Sequence, residues 1–192
     1  MLTEFIDFVN DVLPSIDSSS KDAAKEAILQ FEKTGEQLKY LMLKPLDQLS
    51  QGDIISKVPF IYFDEKGLQK SFTAEALVLS TSCHIDQKDL MVLVPVLPLD
   101  IFNGNLEDLK RNTIFDYMYI PDYDMAEKFV NFEYMNTYSK DLILMGIEQH
   151  KIKRLASLNQ LGYYFFIVKL TVYLMRKEDS DTLEERNSAF AY

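Results

Sequence analysis

The sequence contains too few cysteines for an intramolecular disulfide and predicts no membrane-spanning segment. Cys83 is its only cysteine in 192 residues, which excludes an intramolecular disulfide. The first residues lack the basic stretch and apolar run of a secretory signal, and no apolar run reaches the roughly 20 residues that a membrane-spanning helix needs. We therefore expect a cytoplasmic protein that does not cross a membrane.

Positive charge is also scarce. There are 30 acidic and 20 basic residues, and the resulting net charge of −10 opposes binding to the phosphate backbone of RNA. Only residues 151–177 are locally basic, with six Lys or Arg and no acidic residue. This stretch is either an RNA-binding patch or a set of basic residues that flank an apolar helix. The absence of alternating basic and aromatic residues favours the second interpretation.

Apolar side chains, by contrast, are plentiful. They make up 47% of the chain, which is enough to bury the core of one domain. Their spacing of three and four residues predicts an amphipathic helix over residues 2–13, which Pro14 ends. Serines near Ser18 can cap a second helix, and Gly35 provides its end. Two helices are therefore predicted in the first of three segments, residues 1–50, whose last part around 38–43 is compatible with helix or strand.

The second segment, residues 51–150, has the pattern of an antiparallel sheet. Short runs rich in β-branched and aromatic residues are separated by polar turns at 64–67 and 86–89. Their spacing is typical of a small SH3-like β-barrel rather than of alternating strands and helices. The runs predict strands at 54–55, 60–63, 76–80 and 90–94, a short helix at 105–112, and further strands at 115–120 and 129–132.

The third segment, residues 151–192, begins with a long apolar helix that we predict over 154–177 and ends in an acidic tail. The overall prediction is therefore an α+β fold in which this helix packs across the barrel. Consecutive helical residues point about 100° apart, so the aromatic run in the middle of the helix covers more than one face. This run is a candidate oligomer or partner interface unless the N-terminal helices cover the second face; it comprises Tyr163, Tyr164, Phe165 and Phe166.

Three short motifs resemble the MazF/PemK-like family of bacterial toxins. Within about 50 residues, the family pattern is matched in order by Gly52-Asp53-Ile54, Leu77-Val78-Leu79-Ser80 and Val94-Pro95. Two further runs resemble a subset of that family, namely Ser80-Thr81-Ser82-Cys83-His84 and Arg154-Leu155-Ala156-Ser157-Leu158. The resemblance implies an SH3-like barrel and a setting in bacterial defence or a toxin–antitoxin system.

The same resemblance indicates that the chain lacks the family's RNA-cleaving residues. The positions of the catalytic arginine and threonine fall at Ala74 and Leu97, and neither side chain can stabilise the charge that develops on a scissile phosphate. Our leading hypothesis is therefore a non-catalytic, toxin-like barrel that acts as a protein-interaction module. Its partner would be another protein, such as a larger ATPase or nuclease, or a second copy of the chain.

The rival hypothesis is an endoribonuclease or RNA-binding protein with a rearranged site. It would use Arg154 as the cation beside Ser80, Ser82, Cys83 and His84. Cys83 and His84 suggest a thiolate–imidazole pair, but neighbouring residues on a strand face opposite sides.

The sequence predicts neither a metal nor a cofactor. Cys83, His84, Asp86 and His150 do not have the paired spacing of a zinc site. The aspartates at 122 and 124 lack the glycine and terminal glutamate of a calcium loop.

Overall fold

The structure is a computed structural model that describes residues 39–121, 127–175 and 179–188. The two helices predicted before residue 35 and the aspartates at 122 and 124 lie outside these ranges. The strands are β1 (Leu41–Met42), β2 (Asp53–Phe63), β3 (Gln69–Val78), β4 (Leu90–Pro98), β5 (Tyr117–Ile120), β6 (Lys128–Asn131), β7 (Asn136–Ser139) and β8 (Arg154–Leu158). The helices are α1 (Ser82–Gln87), α2 (Leu106–Lys110), α3 (Lys140–Glu148), α4 (Gln160–Leu174) and α5 (Ser180–Ser188).

All eight strands belong to one antiparallel sheet. Their order is β1-β8-β2-β3-β4-β6-β5, and β7 pairs with one end of β4. The sheet joins all three predicted segments, since β1 and β8 pair with each other and β8 also pairs with β2. The predicted α+β class is confirmed. The sheet is not closed within the described residues, so the predicted barrel is not confirmed.

The central hairpin follows directly from the sequence. β2 and β3 pair from Ile54–Leu77 to Phe63–Gln69, and buried and exposed side chains alternate along β2 from Lys57 to Ile61. The turn between them is held by Asp64, whose Oδ1 accepts hydrogen bonds from the backbone N–H groups of Lys66 and Leu68. Gly67 adopts a φ of +72°, which favours glycine at this turn. The predicted turn at 64–67 is confirmed. The two strands predicted at 54–55 and 60–63 are a single strand, β2, and β3 begins at Gln69 rather than at residue 76.

The two faces of the sheet carry separate apolar clusters. Helix α4 covers one face, where Phe166 and Phe132 pack and the Phe165 ring stacks on Tyr40 with centroids 5.4 Å apart. Helices α1 and α3 cover part of the other face through Ile85 and Ile143. A third cluster lies around α2, which Asn105 caps by accepting a hydrogen bond from the Glu107 N–H. The short helix predicted at 105–112 is confirmed.

The C-terminal helix is shorter than the sequence predicts. Residues 154–158 form β8 instead of a first helical turn, because they pair with both β1 and β2. Helix α4 begins after Asn159, whose Oδ1 accepts a hydrogen bond from the Gly162 N–H, and it is 15 residues long. A Cβ at Gly162 would clash with the Tyr40 carbonyl oxygen, so glycine permits this close packing. The prediction of a long apolar helix over 154–177 is wrong.

Within the described ranges, no helix is both long enough and apolar enough to span a bilayer.

Candidate functional site

A cleft opens where β3 and β4 part. The two strands pair from Val78–Leu93 to Glu75–Val96. Beyond that point β3 pairs with β2 alone and β4 pairs only on its other edge, with β6. The resulting gap encloses about 650 Å³, a size within the usual range for ligand sites. It is lined by Tyr62, Phe72, Thr73, Ala74, Glu75, Val96, Leu97, Pro98, Ile101, Lys128 and Tyr134.

One wall of the cleft is aromatic. Tyr62 and Tyr134 have ring centroids 5.0 Å apart, and Phe72 lies 6.1 and 5.6 Å from them. At these distances the rings pack against each other, mostly edge to face. They therefore present a continuous wall to a ligand and do not form an open cage that could surround a cation.

The cleft also contains an ion pair. The Lys128 Nζ lies 2.7 Å from the Glu75 Oε1, and the two side chains are 15% and 25% exposed. The second oxygen of this carboxylate, Oε2, is shielded from water and accepts no hydrogen bond from the described residues. A carboxylate has capacity for about four hydrogen bonds, so Glu75 retains an unused acceptor in the cleft.

The cleft brings together the two positions that the resemblance equates with catalytic residues. Ala74 and Leu97 lie on different strands, and both line it. No arginine does so within the described residues. The cleft provides apolar contact, aromatic surface, the Thr73 hydroxyl and the Lys128–Glu75 pair. The two positions themselves, Ala74 and Leu97, carry neither the guanidinium nor the hydroxyl that the resemblance would require there.

Arg154 is engaged elsewhere. Its Nη2 lies 2.7 Å from the Oδ2 of the fully buried Asp53. Its guanidinium also donates to the backbone carbonyls of Leu46, Asp47 and Gln48. These bonds fasten the loop after β1 to strands β2 and β8. Arg154 makes no hydrogen bond to Ser82 or His84 among the contacts of the described residues.

The hydroxyls of the two predicted site serines accept hydrogen bonds from backbone N–H groups. The Ser80 Oγ accepts a hydrogen bond of 2.8 Å from the Val92 N–H and so ties the end of β3 to β4. The Ser82 Oγ accepts a longer bond of 3.4 Å from the Gln51 N–H. Both hydroxyls therefore act as acceptors for main-chain groups.

Cys83 and His84 lie on a helix and not on a strand, so the argument from opposite strand faces does not apply to them. Thr81 caps α1 by accepting a hydrogen bond from the His84 N–H, and the helix then runs through both residues. Cys83 is exposed, and its Sγ lies 3.3 Å from the Thr81 hydroxyl. His84 is exposed as well. As consecutive residues of a helix, the two side chains point about 100° apart, and neither is among the hydrogen-bond partners of Arg154 in the described residues.

The four predicted interface residues of α4 divide into two pairs. Phe165 and Phe166 are buried in the core between α4 and the sheet. Tyr163 and Tyr164 are partly exposed, with their rings packed edge to face. The Tyr163 hydroxyl donates to the Gln51 Oε1, and Gln51 donates in turn to the Leu79 carbonyl. Only the two tyrosines are open to a partner, and their role as an interface remains a prediction.

Lys169 is a second buried cation, on the inner side of α4. Its Nζ donates to the backbone carbonyls of Asn112 and Ile114, at 3.0 and 2.6 Å. It therefore fixes the helix to the loop after α2. Burial lowers the pKa of this ammonium group to about 8, although the nearby Asp116 carboxylate partly opposes the shift.

Sequence reasoning missed the charged pair and the aromatic wall of the cleft. Lys128 and Glu75 are 53 residues apart, and neither belongs to a recognisable motif.

Within the described residues, no three Cys, His, Asp or Glu side chains are grouped so that they could hold a metal ion. A scan of protein-family models and a search of curated proteins give no match to this chain.

Proposed function

We propose that the chain is a non-catalytic interaction module that binds a protein partner in the cleft between β3 and β4. In this proposal it is a cytoplasmic bacterial protein with a toxin-like, SH3-like architecture, acting in a defence or toxin–antitoxin setting. The observation that carries the proposal is the lining of the cleft. Ala74 and Leu97, which the resemblance equates with the toxin's catalytic pair, lie there beside an aromatic wall, and no arginine is among the described residues that line it.

The surroundings of Arg154 also support binding over RNA cleavage. The rival hypothesis needs this guanidinium beside Ser82 or His84, where it could stabilise a scissile phosphate. Arg154 instead pairs with Asp53 and donates to the carbonyls of the loop after β1. Releasing it would leave the buried Asp53 charge without its cation, which is costly.

Affinity capture from the native host, with mass-spectrometric identification, tests the proposal. The variant Ala74→Trp places a large ring in the cleft, while Thr137→Trp places the same ring on an exposed position of β7 at the opposite end of β4. We expect the wild-type chain and Thr137→Trp to recover the same protein, and Ala74→Trp to lose it. Both variants should retain the wild-type circular dichroism spectrum.

Two results would overturn the proposal. One is recovery of the same protein by Ala74→Trp, which would place the binding surface outside the cleft. The other is recovery of RNA instead of protein by the wild-type chain, in amounts that depend on His84 or Arg154. That result would favour the rival hypothesis.

A further inference from the structure

The charged pair in the cleft restricts what a partner can place there. We propose that the cleft receives a flat apolar group carrying a positive charge, as in a lysine or arginine next to an aromatic residue of the partner. This inference rests on the proposed function and specifies its ligand. Its basis is the combination of an unused carboxylate oxygen with an aromatic and aliphatic lining.

The polar group of the cleft that lacks a hydrogen-bond partner is an acceptor. The Glu75 Oε2 is shielded from water without a hydrogen bond from the described residues, and such a group costs free energy until a donor reaches it. The last torsion of a glutamate side chain turns easily, and a quarter of the Glu75 side chain is exposed. Glu75 can therefore accept an N–H from a ligand while it keeps its bond to Lys128.

An anionic ligand would fit this chemistry less well. It would have to compete with Glu75 for Lys128, whose Nζ is already 2.7 Å from the Glu75 Oε1. It would also leave Oε2 without a donor and add a second negative charge beside a carboxylate. The net charge of −10 acts in the same direction at long range, because it attracts cationic partners and repels anionic ones.

The remaining lining favours a flat apolar group. Tyr62, Phe72 and Tyr134 form one wall, and Leu97 and Pro98 lie among the aliphatic residues of the cleft. A volume of about 650 Å³ accommodates an aromatic ring with a short side chain. Phe72 and Glu75 are three residues apart on β3 and therefore point to opposite faces of the strand, so the ligand has to extend through the gap between β3 and β4 to bring its cation to the carboxylate.

Two small probes separate the charge preference from the apolar contact. Phenethylammonium and 3-phenylpropionate carry the same ring on short chains of opposite charge, and each is titrated into the isotope-labelled full chain by NMR. We expect phenethylammonium to shift resonances of Tyr62, Ala74 and Leu97 saturably. We expect its affinity to exceed that of 3-phenylpropionate at least tenfold.

The variant Glu75→Gln should weaken phenethylammonium binding at least fivefold. Glu148→Gln is the matched control, because it removes the same charge from an exposed position on α3 and so leaves only the long-range effect. It should bind phenethylammonium as the wild type does. Both variants are checked for an unchanged spectrum outside the cleft.

The inference would be overturned if the two probes bound with equal affinity, if the anion bound more tightly, or if neither bound. It would also be overturned if Glu75→Gln left phenethylammonium binding unchanged. The proposed function fails by a different result. If Ala74→Trp abolishes capture of a protein partner while phenethylammonium does not bind, the cleft is an interaction site with another ligand chemistry. If Ala74→Trp leaves capture unchanged, the proposed function itself is wrong.

Discussion

The Asp53–Arg154 and Glu75–Lys128 pairs join the same kinds of charge across one sheet, at the same distance of 2.7 Å. Their surroundings differ. Both Asp53 oxygens have partners, since Oδ1 accepts from the Ser157 hydroxyl and Oδ2 from Arg154 and the Ser50 N–H. In the other pair, one Glu75 oxygen has no donor among the described residues, and the pair opens onto a cleft.

The difference separates structural charges from those available for binding. A buried carboxylate surrounded by donors holds its neighbours in place and has nothing left to offer a ligand. A partly exposed carboxylate with an unused oxygen contributes little to folding but can bind a donor. Arg154 is not fully satisfied either, because its Nε is buried without a hydrogen bond. Its other contacts nevertheless all go to Asp53 and the loop after β1.

Asp53→Asn should reduce the free energy of unfolding more than the other substitutions. Removing one charge of a buried pair leaves Arg154 without its counter-ion, which typically costs about 3–5 kcal/mol. Arg154 remains 18% exposed, so we expect a loss near the lower end of that range. The free energy of unfolding is measured by urea denaturation. A loss below about 1 kcal/mol would show that the pair does not hold the loop after β1.

Lys169 differs from both pairs because it is a buried cation whose hydrogen bonds go to backbone carbonyls. Its pKa falls from 10.5 to about 8 on folding. Between these values the unfolded chain binds more protons than the folded one, so stability should rise with pH from about 8 to 10. The gain is at most about 1.4 kcal/mol per pH unit.

The measurement is the difference in free energy of unfolding between wild type and Lys169→Met at each pH. Subtraction removes contributions common to both proteins, such as that of Tyr40, whose pKa is raised by burial. A difference that stays constant from pH 7.5 to 9.5 would contradict the lowered pKa.

Glu75→Gln should have the smallest effect on stability. Solvent-exposed ion pairs contribute about 0–1 kcal/mol and buried pairs more. Glu75 is 25% exposed whereas Asp53 is fully buried, so the urea midpoint should shift less than that of Asp53→Asn. Parallel denaturation of both variants gives the contrast directly. A loss for Glu75→Gln as large as that for Asp53→Asn would assign both pairs to folding.

Local sequence signals predicted the parts of the fold that depend on local interactions. β-Branched and aromatic runs predicted parts of both strands of the central hairpin, and the short helix predicted at 105–112 corresponds to α2, which Asn105 caps. The Thr81 cap of α1 was missed because the helix is only six residues long and follows an apolar strand. Helix α3, over Lys140–Glu148, was not predicted either.

Long-range pairing decided the rest. Leu155 and Leu158 have helical spacing, yet residues 154–158 form a strand because β1 and β2 provide partners on both sides. The cleft combines residues of β2, β3, β4 and β6 with Tyr134, and its shape depends on where β3 and β4 part. The resemblance did single out Ala74 and Leu97, which line it, but could not indicate the Glu75–Lys128 pair.

The most direct test of the account is to incubate the purified chain with a mixed-sequence RNA transcript. In the proposal, Ala74 and Leu97 replace the catalytic pair of the toxins that the sequence resembles, and Arg154 is bound to Asp53, so we predict that the transcript stays intact. Sequence-specific cuts that disappear in His84→Ala, an exposed position whose substitution should leave the fold unchanged, would contradict the non-catalytic assignment.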